Sequence, residues 1–540
     1  MNDSFRKSMT WLHTWAGLVF CWILYFMFVT GTVGYFDNEI DRWMKPEVPV
    51  ETNISIDDSV RVAENYLRRE APDADRWVIT PAQWRETPHL RIFWQGKTTE
   101  ETTENAAEES AEDAEPVNGN EILDINTGEP MDQSVRDTGG GQTLYRMHYI
   151  LHYLDRDIAY RLVGVITMLM LVGIITGVVI HRKIFSDFFT FRRQKGPRAW
   201  LDMHNLMSIS SLPFQLMITY SGLIFMVTVW MPGIAVGSYG FDLQKADEGL
   251  HMLVNEEHVE RSGEPGNLVS LQNIVEKLSS RDDFENVRNF EVFQPGDTNA
   301  KIVVNVSKDL SSDGATQLVF DGMTGELIHD RPFVKNNAVG VAFIMISLHE
   351  GLFAGPFVRW LYFFSGLLGT GMIATGAIYW TQKRKVKIAE TGPDRGYQFV
   401  ESLNIGTIVG LMTALAAYFW ANRLLPLGME GRADWEVHCM FIIWGLCLLH
   451  PVFRPKLNAW MEQCWVASLA FLAIPIVNLL TTDAHLFNSL PEGDWVLAGF
   501  DIVAIATGIG FAIAALLLKN RLPKTQIVKG ALQQAHAQGS

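Results

Sequence analysis

The chain carries 60 acidic against 44 basic side chains in 540 residues, a formal net charge of −16 that argues against nucleic acid as a partner. Its hydrophobic share of 48% and mean hydropathy of +0.08 are high for a soluble protein and low for a bare membrane bundle, so membrane helices plus a sizeable aqueous part are implied. The four cysteines, Cys21, Cys439, Cys447 and Cys464, form no CxxC pair, which argues against a disulfide framework, a thiolate metal site and an iron–sulfur centre.

Apolar runs approaching the about 20 residues a bilayer requires occur eight times. They fall at roughly 15–36, 160–181, 206–231, 358–380, 403–421, 436–453, 463–481 and 495–518. The first follows Arg6 and Lys7, is too long for a signal peptide and lacks a small-residue cleavage site, so residues 1–36 read as an uncleaved anchor. Residues 37–147 form an aqueous region with helical spacing in IDDSVRVAENYLRRE. Within it, 99–116 reads as a disordered acidic insertion, with eight carboxylates and no base between 100 and 115. Residues 148–231 carry the second and third spans around the basic loop HRKIFSDFFTFRRQKGPR. A second aqueous region, 232–345, offers the strands KIVVNVS and TQLVFDG and the helix LVSLQNIVEKLSS. The fourth span lies in 346–385 and ends in TQKRKVK, and 386–540 is a four-helix membrane extension with basic FRPK and KNRLPK. Lys and Arg concentrate on alternate loops, which places both termini in the cytoplasm and both aqueous regions outside, as small α+β domains.

The two aqueous regions share a turn. Asp124 in ILDINTGEP and Asp321 in LVFDGMTGELI head the same D-x-x-T-G-E sequence 197 residues apart, suited to a tight hairpin. The same offset pairs His152 in LHYLDRD with His349 in LHEGLFAG. Thr176–Gly177 of the second span corresponds to Thr375–Gly376 of the fourth. At an offset of 191, His13 in LHTWAGL pairs with His204 in MHNLMSI, and Gly31 with Gly222. The unit of helix, aqueous region and helix therefore occurs twice, which predicts a quasi-symmetric four-helix bundle.

A single histidine near a helix end is more often an interfacial or hydrogen-bonding residue than a ligand. Recurrence shifts that balance. His13 and His204 share the cytoplasmic level, and His152 and His349 the outer level, so each pair faces across the bundle. Two neutral imidazoles on opposite sides of a cavity suit six-coordinate haem iron. The glycines of the TG and SG motifs give clearance for the ring, and Arg156, Arg161 and Arg359 are candidates to meet propionates. His181 competes with His13 or His204 for the inner site. His148 shares a helix face with His152 but has Met345 as its counterpart, so His152 is preferred and His148 supports it. His438 and His450 have no counterparts and read as structural. With 29 residues between them on one helix, His152 and His181 lie about 43 Å apart.

These motifs resemble the PepSY-associated transmembrane family of bacterial iron-regulated inner-membrane proteins, over about residues 9–385. They include WLHTWAGL, LHYL with ITGVVIHRK, LDMHN with SGL, LHEGLFAG with TGAIYW, and the two turns. The resemblance implies a mainly α membrane protein of the inner membrane. Its eight transmembrane helices would include a quasi-two-fold four-helix haem-binding bundle, with two periplasmic α+β PepSY-like domains. It implies bis-histidine b-type haems, two if each level holds one, with His13 and His204 or His181 inside and His152 and His349 outside. It also implies electron flow from the cytoplasm to a periplasmic ferric siderophore or other Fe(III) chelate, whose hold on iron weakens on reduction. No nucleotide-binding motif is visible, because GTGMIATG lies within a membrane helix with no preceding strand. Electrons are therefore expected from a quinol or a cytoplasmic donor. The acidic insertion and the four extra spans depart from the family pattern. The competing expectation is a non-enzymatic membrane-anchored protein with a binding, regulatory or transport-associated role.

Overall fold

The computed structural model describes residues 3–48, 54–82, 89–96, 118–131, 136–181, 196–226, 257–307, 310–334, 337–392 and 394–520. The acidic stretch expected as an insertion, 99–116, lies outside these residues. In chain order the described elements begin with α1 (Asp3–Gly34), α2 (Asp37–Met44), α3 (Ile56–Glu70), β1 (Arg76–Thr80), β2 (Leu90–Gln95), β3 (Gly119–Leu123), α4 (Gly140–Ile150) and α5 (Arg156–Ile180). There follow α6 (Pro197–Ser210), α7 (Leu212–Phe225), α8 (Leu271–Leu278), β4 (Val287–Phe293), β5 (Lys301–Ser307), β6 (Ala315–Asp321), β7 (Leu327–Pro332), α9 (Asn337–Glu350) and α10 (Pro356–Thr391). The chain closes with α11 (Arg395–Ile408), α12 (Gly410–Leu424), α13 (Arg432–Phe453), α14 (Lys456–Thr481), α15 (Leu486–Ser489) and α16 (Trp495–Lys519). Two compact units result: a helical unit of residues 1–47, 135–219 and 357–540, and a sheet-bearing unit of residues 48–134 and 220–356.

Among the described residues seven helices are long and apolar enough to cross a membrane, and α6 with α7 makes an eighth that is bent by 68°. The protein is thus a multi-pass membrane protein. The bend has a local cause. Pro213 has no amide hydrogen to give Ile209 and disfavours helical geometry at the residue before it, so the helix stops at Ser210 and restarts at Leu212. Aspartates cap several spans: Asp155 accepts the amides of Asp157 and Ile158 (3.0 and 3.2 Å), and Asp494 those of Val496 and Leu497 (both 3.2 Å).

In the helical unit, the extension is fastened to the first span by donors suited to an apolar setting. Trp22 Nε1 donates to Asn404 Oδ1 at 2.9 Å, Asn404 Nδ2 donates to the carbonyl of Ala377 at 3.1 Å, and the Tyr25 hydroxyl donates to the carbonyl of Ile408 at 3.0 Å. Phe26 stacks on Trp444 at 5.3 Å. The α11–α12 span is the most enclosed, with Leu411, Ala414, Ala416 and Tyr418 at or near zero exposure.

In the sheet-bearing unit, the two aqueous regions do not form separate domains. Their strands make a single antiparallel sheet of order β3-β2-β1-β4-β5-β6-β7, joined where β1 pairs with β4. The physical reason is size. Among the described residues the regions supply three and four strands, each set too small to bury a core alone. Together they enclose Leu67, Trp77, Ile79, Leu271, Ile274, Phe290 and Ile302 in one cluster. Glu64 of α3 seals the junction by accepting the amide of Leu271, at the start of α8, at 3.0 Å.

The duplicated turn is present as read. Asp124 Oδ1 accepts the amides of Asn126 and Thr127, and Asp321 Oδ1 those of Met323 and Thr324. The Thr324 amide is the largest of the contacts that hold the Asp321 carboxyl below its ordinary pKa. Gly128 and Gly325 adopt φ of 71° and 69°, the left-handed region where a side chain is strained. Gly325→Ala is expected to destabilise the protein by about 1–2 kcal/mol. A denaturant midpoint unchanged from wild type would show that the turn relaxes without cost.

Candidate functional site

In the helical unit the structure brings His13 and His204 together. Their ring centroids are 6.3 Å apart and their planes are inclined by 72°. The surroundings repeat as well as the residues. His13 Nδ1 lies 3.0 Å from the carbonyl oxygen of Gly173 and 3.2 Å from Thr176 Oγ1. His204 Nδ1 lies 2.8 Å from the carbonyl oxygen of Met372, which also accepts the Thr375 hydroxyl at 3.0 Å. Each carbonyl lies four residues before the glycine of its TG motif. A Cβ at Gly177 would come within 3.3 Å of His13 Cε1, and one at Gly376 within 3.2 Å of His204 Cε1. The glycines therefore let the neighbouring helix approach each imidazole.

These contacts choose a tautomer. A carbonyl only accepts, so each Nδ1 must donate, and the proton sits on Nδ1. Nε2 then carries the lone pair, as a neutral imidazole ligand requires. An Nδ1–H to carbonyl contact is the usual device that orients a ligating histidine. With metal–nitrogen bonds of about 2.0–2.1 Å and roughly 1.1 Å from donor nitrogen to ring centre, a spacing of this order would let two imidazoles share one metal. Among the described residues no group of three or more His, Cys, Asp or Glu side chains gathers as a metal site. Two imidazoles can thus serve a metal only if it brings its other ligands with it, as the iron of a porphyrin does.

The described ring contact of His13 is with His204. His181 closes α5, its amide bonding the Gly177 carbonyl at 3.2 Å, and its buried Nε2 has no hydrogen-bond partner among the described residues. Trp380, near its position in the repeat, likewise leaves Nε1 buried and unbonded, with the Arg384 guanidinium 3.7 Å above its ring.

The second set of histidines departs from the expected register. His152 lies in a turn between α4 and α5, not on the helix that leads to His181, so the 43 Å separation along one helix does not apply. α4 and α9 both end at a left-handed residue, Leu151 (φ 54°) and Gly351 (φ 67°), and the next helices start at Arg156 and Pro356. Those positions are 200 residues apart, not 197, because the chain between turn aspartate and helix end is three residues longer in the second half. The pairing of His152 with His349 therefore does not follow the backbone. His152 lies beside Phe441 of the extension, with ring centroids 6.1 Å apart. It is His148 that packs on Gly31, where a Cβ would lie 3.5 Å from its ring; its Nδ1 bonds the Tyr145 carbonyl. In the sheet-bearing unit, His349 Nδ1 pairs with Ser221 Oγ at 2.8 Å, beside the Phe225 ring.

The arginines expected to meet propionates differ in availability. Arg156 and Arg161 are exposed. Arg359 is 4% exposed and its guanidinium already pairs with the Glu39 carboxylate, so it is not a free anion partner. His438 Nδ1 and the Tyr153 hydroxyl share a hydrogen bond at 2.6 Å, in keeping with a structural role. His450 pairs with Glu462, which sequence reasoning missed because the two lie on successive helices.

No curated protein matches the chain at a significant level. The family model described as PepSY-associated TM region matches residues 10–383, which takes in His13, His204, both TG motifs and both D-x-x-T-G-E turns and stops before α11. The protein is a member of the PepSY-associated TM region family, extended by four further membrane spans.

Proposed function

We propose that the protein is an inner-membrane haem b electron carrier that passes electrons from the cytoplasmic side to a ferric chelate, such as a ferric siderophore, in the periplasm. The observation that carries this reading is the His13–His204 pair, with its 6.3 Å spacing and both Nδ1 atoms committed to carbonyls. Haem, when bound, supplies a one-electron carrier. The chain's part is to hold two imidazoles neutral, fix their tautomers, and press glycine-faced helices against them. The basic loops favour cytoplasmic termini. The two histidine levels of the repeat suggest a second haem, and the resemblance adds the ferric substrate. Within the helical unit the repeat offers His152 for that haem, and the packing on Gly31 favours His148 over it.

The test is an absorption spectrum of the full-length protein purified after haem-sufficient expression. A Soret band near stoichiometric haem is expected, with the sharp α band of a six-coordinate b-type centre on reduction. A colourless protein sinks the proposal and leaves the non-enzymatic reading of the family in its place.

A further inference from the structure

The extension outside the family match carries an open cavity of about 950 Å³ between α12, α13 and α14. Its walls are apolar along most of their length, including Trp420, Leu446 and Leu469. One end is polar and is formed by His450, Glu462 and Gln463. His450 lies in the last turn of α13, two turns beyond Trp444, which stacks on Phe26 of α1. Since α13 runs antiparallel to α1, the polar end lies in the half of the unit that carries His13.

The polar end is rich in acceptors. His450 Nε2 lies 3.0 Å from Glu462 Oε2, a carboxylate also paired with Arg454, so the Nε2 proton is given to the carboxylate and Nδ1 carries the lone pair, whose contact is a long one of 3.4 Å from Gln463 Nε2 that a closer donor can replace. Gln463 donates its Nε2 to the Cys447 carbonyl at 2.6 Å, which fixes the orientation of its amide. Its Oε1 is then an acceptor, buried and without a partner among the described residues. A molecule that suits this cavity has a long apolar body and a head that donates hydrogen bonds.

We infer that this cavity binds a membrane quinol, held by its hydroxyl at His450 and its isoprenoid tail along α12 and α14, and that it is where electrons enter the protein. The inference rests on the electron-carrier reading above. Oxidation of one quinol to quinone releases two protons and two electrons. His450 Nδ1 takes one proton, with Glu462 stabilising the imidazolium that forms, and the second passes to water at the membrane surface. The two electrons would leave singly, with haem held by His13 and His204 as their one-electron acceptor. The volume accepts a quinol ring and the first units of its tail.

The experiment uses full-length protein in mild detergent. Bound quinone is extracted and quantified, and haem reduction by a short-tailed synthetic quinol is followed by stopped flow, with dithionite as the control reductant. About one quinone per chain is expected. His450→Gln is expected to slow quinol-driven reduction about 100-fold and to lower the quinone content, with the dithionite-reduced spectrum unchanged. Ala473→Phe, which narrows the apolar wall, is expected to lose the quinone. The inference is overturned if haem-replete, dithionite-reducible protein contains no quinone or only phospholipid, or if both variants accept quinol electrons at the wild-type rate. Haem-free protein refutes the electron-carrier reading instead, and its quinone content then decides on the cavity separately.

Discussion

His204→Ala and His13→Ala are each expected to remove one haem per chain, and the same one. The argument is cooperative. The two ring centroids lie 6.3 Å apart, close enough that one haem iron would be held by both, so neither would be expected to hold it alone. Their orienting contacts are separate, to Gly173 on α5 and to Met372 on α10. Loss of one ring therefore leaves the other held and its helix undisturbed. Haem content per chain, measured as the pyridine haemochromogen, should fall by a full equivalent in either single variant and no further in the double. His204→Gly should recover the band when imidazole is added, which a merely misfolded variant does not. Two variants that deplete spectroscopically distinct haems would falsify the pairing. Gly376→Val is the milder companion. It directs a branched side chain from a position 3.2 Å from the His204 ring and should shift the midpoint potential before it lowers occupancy.

The pair was legible in the sequence because its parts are local and recur. A histidine with a TG motif opposite it reads the same way twice, and so does Asp124 with Gly128 against Asp321 with Gly325. What was not legible is what depends on loop length or on partners distant in sequence. Three extra residues between Asp321 and Gly351 moved His349 out of step with His152, and no residue chemistry announces such a shift. Pairing of β1 with β4 merged two expected domains into one sheet, since each edge strand looks complete on its own. The bend at Ser211 was within reach: Pro213 sits inside the third apolar run, and a hydropathy window averages over it. The Arg359–Glu39 pair was beyond reach, because 320 residues separate its members.

The same distance in sequence hides the strongest structural prediction, which concerns the extension. Arg432 and Glu436 at the start of α13 form an ion pair with both side chains fully buried, at 2.7 Å. Glu436 also accepts from Asn422 Nδ2 at 2.8 Å, from Thr138 Oγ1 at 2.5 Å and from the Gly139 amide at 3.3 Å. Arg432 donates to the Asp137 carbonyl at 2.7 Å and to that of Asn422. A charge so enclosed is tolerated only while every partner is present. Glu436→Ala strands the guanidinium and should cost about 3–5 kcal/mol. Replacing both members, as Arg432→Met with Glu436→Leu, should cost clearly less, because no charge is left unpaired. Denaturant unfolding in detergent, set out as a double-mutant cycle, measures the difference; a single variant within about 1 kcal/mol of wild type would contradict the argument. The consequence reaches beyond stability. Residues 137–139 lead directly into α4, whose first turn is clamped by the Gly141 amide on Asp41 Oδ1 at 2.7 Å and by the Tyr418 hydroxyl on the Gly140 carbonyl at 2.8 Å. α4 carries His148 onto Gly31. The added spans therefore do more than fill membrane: through Glu436 and Tyr418 they set the start of the helix that positions His148. Glu436→Ala should disturb that end of the bundle while leaving the His13–His204 spectrum intact.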